Sequence, residues 1–352
     1  MGETEAKKLR RGWTTGACAA AATKAALAGL WGGRIPKTVA IVLPRGETPR
    51  FTIAHARTAR GWAEAGIVKD AGDDPDVTHG ALIVVRVTPG SGGIRFVAGE
   101  GVGTVTRPGL PLAVGEAAIN PAPRAMMEAE INALAAAHGR ARDIDITISV
   151  PGGEALAKRT WNPRLGIIGG LSILGTTGIV RPFSCSAWIA AIHRGVDVAR
   201  AAGQSHVAGC TGATSEAALS ARFGLPGHAM LDMGDFAGGL LKYLRRHPVE
   251  RLSIGGGIGK ISKLSQGAMD LHSARSQVDL DALARLARAR GLGDTSGAAT
   301  ALGALELAGV GLAEAVARQA LVRVSALLGD AVARRDVLIV DRSGGIIAEV
   351  SS

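Results

Sequence analysis

The chain has 352 residues, a formal net charge of +10, and 47% hydrophobic residues against 3% aromatic. That length and apolar content allow one large domain or two ordinary ones and exclude a disordered chain. The shortage of aromatics argues against a surface that stacks nucleobases, so no nucleic-acid partner is expected, and it demands a core of Ala, Val, Leu and Ile. A pI near 10.1 still leaves nucleic acid, an anionic membrane or an acidic small molecule as partners of a basic protein. The charges are dispersed, with RRHPVER (245–251) and ARLARAR (284–290) the densest groups. A solvated Arg-rich helix surface and a polyanionic small-molecule substrate both fit that pattern.

Cys18, Cys185 and Cys210 are far apart and lack CxxC spacing, which fits a reducing cytosol. The N-terminal MGETEAKKLRRG has no apolar core of a signal peptide. The longest uncharged run, 165–180, is shorter than a membrane span and broken by glycines, so no transmembrane helix is expected. The expected location is the cytoplasm.

In chain order, a helix is predicted over Thr15–Leu30, with Thr14 or Thr15 as N-cap and Gly32-Gly33 as its end. Short β-branched runs follow at 38–43, 50–53, 81–88 and 94–97, separated by turn residues such as Pro44, Gly46, Pro89 and Gly90. Pro121–His138 reads as a helix with prolines near its start and Gly139 past its end, and Ile144–Val150 alternates as a strand. Beyond the 164–182 run the pattern changes to helices near 186–202, 214–223, 235–246, 280–290, 298–308 and 312–328. Strands fall near 205–208 and 251–254, and a closing hairpin is predicted over 337–350. The expected fold is mixed α/β (α+β). A strand-rich part covers 1–155, and a helix–strand alternating part with Gly-rich turns covers 156–352.

The segment RLGIIGGLSILGTTGIVRP (164–182) is apolar enough to be buried yet too glycine-rich for a good helix interior. Its end, Gly175-Thr176-Thr177-Gly178, is echoed by Gly12–Gly16 (GWTTG) and by Gly209–Thr214 (GCTGAT). Three such turns running into helical patterns predict a site lined by helix N-termini, which favour carboxylates and other anions.

Other motifs carry less. Ser253–Lys260 (SIGGGIGK) has Ile254 and Ile261 where a Walker A loop needs Gly and Ser/Thr, and it fails the dinucleotide GxGxxG pattern as well. Lys260 and Lys263 still follow a glycine turn whose amides could hold an anion, although such a turn equally serves to pack a helix on a sheet. Lys69–Gly80 carries Asp70, Asp73, Asp74 and Asp76 without calcium-loop spacing. Its carboxylates could accept a proton or bind hydroxyls, or merely form an exposed Asx-turn loop. His206 and Cys210 lack a second ligand pair for zinc, so no metal is expected. His272 is a candidate acid or base, against a structural role. Cys18 lies in the first turn of a helix, where a thiol pKa can fall, but its alanine neighbours favour a small packing residue. Composition and motifs alone reach only an α/β enzyme for an anionic ligand.

Five long segments in order resemble one family. They are LRRGWTTGACAAAATKAA (9–26), VKDAGDDPDVTHGA (68–81), GEGVGTVTRPGLPLAVGEAAINPAPR (99–124), VPGGEALAKRTWNPRLGIIGGLSILGTTGIVRP (150–182) and GKISKLSQGAMDLHS (259–273). Together they resemble the cobalt-precorrin-5B C-1-methyltransferases of anaerobic cobalamin biosynthesis, the CbiD family. The chain departs from the family pattern at Trp13, His79 and Leu271, where Tyr, Asn and Thr are favoured. The resemblance implies methyl transfer from S-adenosylmethionine to C-1 of a contracted corrinoid ring, giving cobalt-precorrin-6A. A non-catalytic corrinoid carrier is the alternative. The candidate binding residues are Thr14, Thr15, Gly16, Lys69, Asp73, Asp76, Arg107, Arg124, Asn162, Arg164, Gly175, Thr176, Thr177, Gly178, Arg181, Lys260, Lys263 and Ser273. Asp70, Asp74 and His272 are the candidate catalytic groups. The four arginines are the expected partners of the macrocycle's acetate and propionate groups, and the 165–180 wall suits its apolar edge. The Thr176/Thr177 turn and the Asp70–Asp76 loop are expected to face one cleft, one holding the cofactor and the other the macrocycle.

Overall fold

The computed structural model describes residues 9–352, so most of the polar N-terminal stretch lies outside the described residues. The chain divides into two compact units, Met1–Cys185 and Ser186–Ser352. The division falls later than the change in sequence pattern because the segment after 155 returns to the first unit. There Ile167–Ile168 pairs antiparallel with Thr104–Val105, and Ile179–Val180 pairs antiparallel with Gly12–Trp13.

The first unit is built on a five-stranded sheet in the spatial order His55–Ala59, Trp62–Val68, Leu82–Pro89, Ile144–Ser149, Ile94–Ala98. Its pairings are antiparallel except the last, which is parallel. The Ile144–Ser149 strand alternates buried and half-buried residues, the period expected of a sheet with one face on a core. Thr15–Gly32 forms a helix packed against Trp62–Val68, Leu82–Pro89 and the helix Pro121–His138. The Thr14 hydroxyl accepts from the Ala17 amide at 3.1 Å, and Gly33 ends the helix in the left-handed conformation at φ 78°. Ala17–Ala22 are completely buried. A helix that is apolar on every side belongs inside a core, and alanine lets its neighbours approach closely. The hairpin 55–68 was not anticipated, because its first strand, HARTA, is largely exposed and lacks an apolar alternation. Of the predicted run 38–43, only Thr38–Ala40 is strand.

The second unit is a parallel sheet flanked by helices. Met230–Asp232, His206–Cys210, Arg251–Gly256 and Arg334–Val340 run parallel in that spatial order, and Ile346–Ser351 adds antiparallel at the edge. This is the predicted closing hairpin, held by Asp341, whose carboxylate accepts from the Ser343 and Gly345 amides at 2.8 Å each. The first strand in sequence lies second in space. The chain therefore steps outward to Met230–Asp232, then crosses back to place Arg251–Gly256 on the other side. Helices Ala213–Phe223, Ala237–Leu244 and Ile258–Ser265 follow the strands, and Val310–Leu328 packs on Arg334–Ser351. No helix among the described residues is long and apolar enough to cross a membrane.

Gly175 joins the two ends of the first unit. Its φ is 128°, and a Cβ there would lie 2.3 Å from the Thr14 side chain. Replacing it by alanine should lower the stability of the chain by about 2 kcal/mol or more, from backbone strain and overpacking together. The urea unfolding midpoint checks this, and a wild-type midpoint would contradict the geometry.

Candidate functional site

The structure brings three sequence-predicted segments of the first unit together. The Trp13 amide donates to Asp70 O (2.7 Å), the Thr14 amide to Gly178 O (3.0 Å) and the Gly16 amide to Leu174 O (3.0 Å). Thr15 completes the joint, its hydroxyl accepting from the Leu174 amide at 2.9 Å. Gly16 sits against Pro123, where a Cβ would come within 2.6 Å of the ring. The start of the alanine helix is thus closed by its own chain. Its first-turn amides at Gly16 and Ala17 already have acceptors, so it does not offer the open N-terminus that the sequence pattern predicts. The Gly175–Gly178 turn runs into the strand Ile179–Val180, not into a helix.

The aspartate loop is committed in the same way. Asp70 binds the Arg10 guanidinium through both carboxylate oxygens and accepts from the Gly72 amide. These bonds hold its carboxyl at about 2, against an ordinary 3.8. Asp73 accepts from the Arg10 amide at 2.7 Å, and Asp74 from the Phe183 amide at 2.8 Å. Phe183 is exposed and has φ 55°, a region that non-glycine residues rarely enter; nothing in its sequence signals this. Asp76 pairs with Lys69 at 2.6 Å and accepts from Thr78. Burial pushes the Asp76 carboxyl up, but Lys69 and Thr78 outweigh it and hold it below the usual range. Lys69 is only 2% exposed. Burial also pushes the Cys18 thiol up to about 12 despite Lys69 nearby, so this cysteine is a packing residue.

The predicted polar residues of the glycine run divide into spent and unspent groups. Arg124 donates to Ile119 O (2.8 Å) and Glu116 (3.1 Å) and lies over Phe96. Asn162 is buried, donates to Gly170 O and accepts from Ser172. Arg164 lies near the Trp161 ring, 6.0 Å from its centroid. The Thr177 hydroxyl accepts from the Ile179 amide at 3.3 Å, and Gly178 turns at φ 79° against Leu43. Among the described residues, the Arg107 and Arg181 guanidinium groups and the exposed Thr176 hydroxyl make no hydrogen bond or ion pair.

The remaining candidates lie in the second unit. Lys260 reaches Thr211 O at 2.9 Å and Asp235 at 3.1 Å, and the buried Lys263 donates to Leu271 O at 2.8 Å. His272 is exposed, its ring accepting from the Ala274 amide, and the Ser273 carbonyl accepts from Gln277. A cavity of about 910 Å³ opens where the chain reverses direction across the sheet, between the ends of His206–Cys210 and Arg251–Gly256. Lys260 and Lys263 line it, but His272 and Ser273 do not. The Thr211–Thr214 turn, the third echo in the sequence, forms one wall. Elsewhere in this unit His206 Nε2 meets the Ser253 hydroxyl at 2.8 Å, and that hydroxyl donates to Asp336 at 2.6 Å. The serine sits between the histidine and the acid and is fully buried. The order is wrong for a nucleophilic triad, in which the histidine stands in the middle.

These features define a two-unit α/β protein: an α+β unit closed on its own N-terminal helix, followed by a parallel doubly wound unit with a crevice at its reversal point. A family model described as CbiD matches residues 2–182, and one described as CbiD, C-terminal domain, matches residues 270–351. The chain belongs to the CbiD family. A protein of Brucella anthropi named cobalt-precorrin-5B C(1)-methyltransferase is 57% identical, covering 98% of this chain and 97% of its own. Proteins with the same name from Paramagnetospirillum magneticum and Rhodospirillum rubrum are each 58% identical, covering 97% and 98% of this chain and 98% of their own. The crystal structure of a cobalamin biosynthesis protein (cbiD) from Archaeoglobus fulgidus is 29% identical, covers 70% of this chain and 76% of its own, and aligns with a TM-score of 0.41.

Two predictions follow from the ion pairs. Asp76→Ala leaves the Lys69 ammonium buried without its partner and should cost about 3 kcal/mol. The more exposed Asp70→Ala should cost under about 1 kcal/mol; equal losses in urea unfolding would contradict this ranking. The folded Asp70 carboxyl titrates below its unfolded value, so its stabilisation is present above pH 3.8 and is lost as pH falls toward about 2. Asp70→Asn should flatten that part of the acid stability profile, and an unchanged slope would contradict the assignment.

Proposed function

We propose that this chain transfers a methyl group to C-1 of cobalt-precorrin-5B, with S-adenosylmethionine as donor, giving cobalt-precorrin-6A in anaerobic cobalamin biosynthesis in the cytoplasm. The observation that carries this reading is the 57–58% identity, over nearly the whole length of both chains, to proteins named for that reaction. The same names weigh against a carrier without catalysis.

The chemistry fits the residues. The macrocycle presents several carboxylates, and a protein with a net charge of +10 attracts such a polyanion. Arg107 and Arg181 are the natural partners in the first unit, because their guanidinium groups are not consumed by the fold. Guanidinium matches carboxylate geometry through paired hydrogen bonds. Arg164 is the third candidate, while Arg124 is bound by the Ile119 and Ala117 carbonyls and by Glu116 and serves the start of the helix Pro121–His138. The Asp70–Asp76 carboxylates hold backbone and cations in place, so the loop acts as a frame for the 174–183 segment and supplies no general base.

The sulfonium of the donor supplies an electrophilic methyl group that the ring carbon attacks in line. The protein needs no covalent nucleophile for such a displacement. Its task is to orient the ring and exclude water, and orientation alone is worth roughly 7–11 kcal/mol. Ile167, Leu171 and Ile173 are buried in the core, which leaves the exposed Ile168 and Leu174 to offer an apolar edge, and the arginines fix the rim.

The test is anaerobic incubation with cobalt-precorrin-5B and methyl-labelled donor, read by mass spectrometry. One labelled methyl at C-1 is expected; an intact substrate beside an active control enzyme would overturn the reading. Arg181→Ala should raise the substrate KM about tenfold, the loss of one charged hydrogen-bonded contact, with donor affinity unchanged. A variant that lost donor affinity instead would move Arg181 to the donor site.

A further inference from the structure

The reversal of chain direction between His206–Cys210 and Arg251–Gly256 creates a crevice that no described residue fills. In open α/β sheets ligands bind outside the carboxyl ends of the strands at such a switch point. The cavity there, about 910 Å³, falls within the roughly 300–1,000 Å³ of small-molecule sites. Two helices begin at its edge, Ala213–Phe223 behind Gly212 and Ile258–Ser265 behind Gly257, and neither has a side-chain cap. No acceptor among the described residues takes the amides of Ala213, Thr214, Ile258 or Gly259. This contrasts with the alanine helix of the first unit, whose N-terminus is closed by its own chain. The opposite wall is apolar, with Val278, Leu280, Leu302 and Leu305. At its rim the Asp341 carboxylate accepts from the Ser343 amide and hydroxyl and from the Gly345 amide through Oδ1.

We infer that this crevice of the second unit is the site of the adenosyl donor. The inference rests on the methyltransferase reading above and adds a place to it. The donor's carboxylate would meet the open amides of the two helix starts, its adenosine the leucine wall, and its hydroxyls or ammonium the Asp341 carboxylate. An anion is favoured at the amides by the helix dipoles. For a strongly charged phosphate the Lys260 and Lys263 ammonium groups already bond to Thr211 O and Leu271 O, which leaves Arg342 at the rim as its cation, and the parallel titration with inorganic phosphate reads that alternative. A corrinoid carboxylate shares the chemistry of the donor's own, and the ligands tested below separate the two.

Gly257 offers a discriminating substitution. Its φ is −70° and the nearest atom to an added Cβ is Val340 O at 3.9 Å, so a Cβ is accommodated without strain or clash. Aspartate at that position is a good N-cap and should keep or raise the melting temperature. Its carboxylate would nevertheless occupy the anion position and repel the donor's. The measurement is calorimetric titration of the full chain with S-adenosylhomocysteine, with inorganic phosphate and cobalt-precorrin-5B in parallel. Gly257→Asp should weaken S-adenosylhomocysteine binding by roughly tenfold or more through like-charge repulsion, while Gly257→Asn, uncharged and of equal size, loses much less. Leu305→Trp, which fills the crevice from the apolar side, should weaken it too and serves if Gly257→Asp does not fold. Cobalt-precorrin-5B affinity should survive all three. Wild-type S-adenosylhomocysteine affinity in Gly257→Asp and Leu305→Trp would overturn the inference and leave the methyltransferase reading standing. Loss of corrinoid or phosphate affinity alone would assign the crevice to those ligands and overturn it as well. A wild-type chain that neither binds S-adenosylhomocysteine nor transfers a methyl group would remove both.

Discussion

The first unit depends on one backbone joint, the closure of the alanine helix by the segment 174–178. An alanine helix carries little to grip its neighbours: Lys24 holds Glu130 and Ala40 O at mid-helix, and the start is fixed by backbone contacts of the Thr14, Thr15 and Gly16 groups against Leu174 and Gly178. Small side chains are required on both sides of that joint. Gly175 and Gly16 are placed where a Cβ would collide with Thr14 and Pro123. The helix then brings Ala17–Ala22 flat against the sheet and the helix Pro121–His138, forming a core with hardly any aromatic content.

Charge is distributed by the same logic of commitment. Four aspartates in one short loop suggest chemistry when read as letters. In three dimensions each holds something: Arg10, the Phe183 amide, or the buried Lys69. A carboxylate already bound by a guanidinium and by backbone amides is a poor proton acceptor. Among the candidate arginines of this unit, the fold leaves Arg107 and Arg181 without a hydrogen bond or ion pair to the described residues. At the crevice of the second unit it leaves open helix-start amides beside Asp341 and Arg342.

Much of this was legible in the sequence. The first helix, expected over 15–30 and found over 15–32, the helix 121–138, the second unit's helix–strand alternation and the closing hairpin follow from capping residues and β-branched runs. The hairpin 55–68 was hidden because HARTA is an exposed edge strand with no apolar period. The strand Met230–Asp232 is three residues long and gives no pattern to detect. The boundary near 185 could not be read, because composition changes near 155 whereas the pairing of Ile179–Val180 with Gly12–Trp13 is a long-range fact. The Thr/Gly turns illustrate the same limit. Two of them do begin helices, but only tertiary contacts decide that the first is sealed by Leu174 and Gly178 and the third is open at a crevice.

The joint between Thr15 and Leu174 spans 159 positions of sequence. During synthesis the alanine helix leaves the ribosome early, while the strand and turn that seal it come near the end of the unit. At about 5–20 residues per second, the helix waits many seconds with its alanine faces uncovered. The first unit therefore cannot complete itself cotranslationally from its N-terminus. It finishes only after its last segment emerges, and until then its least polar helix is a natural client for a chaperone.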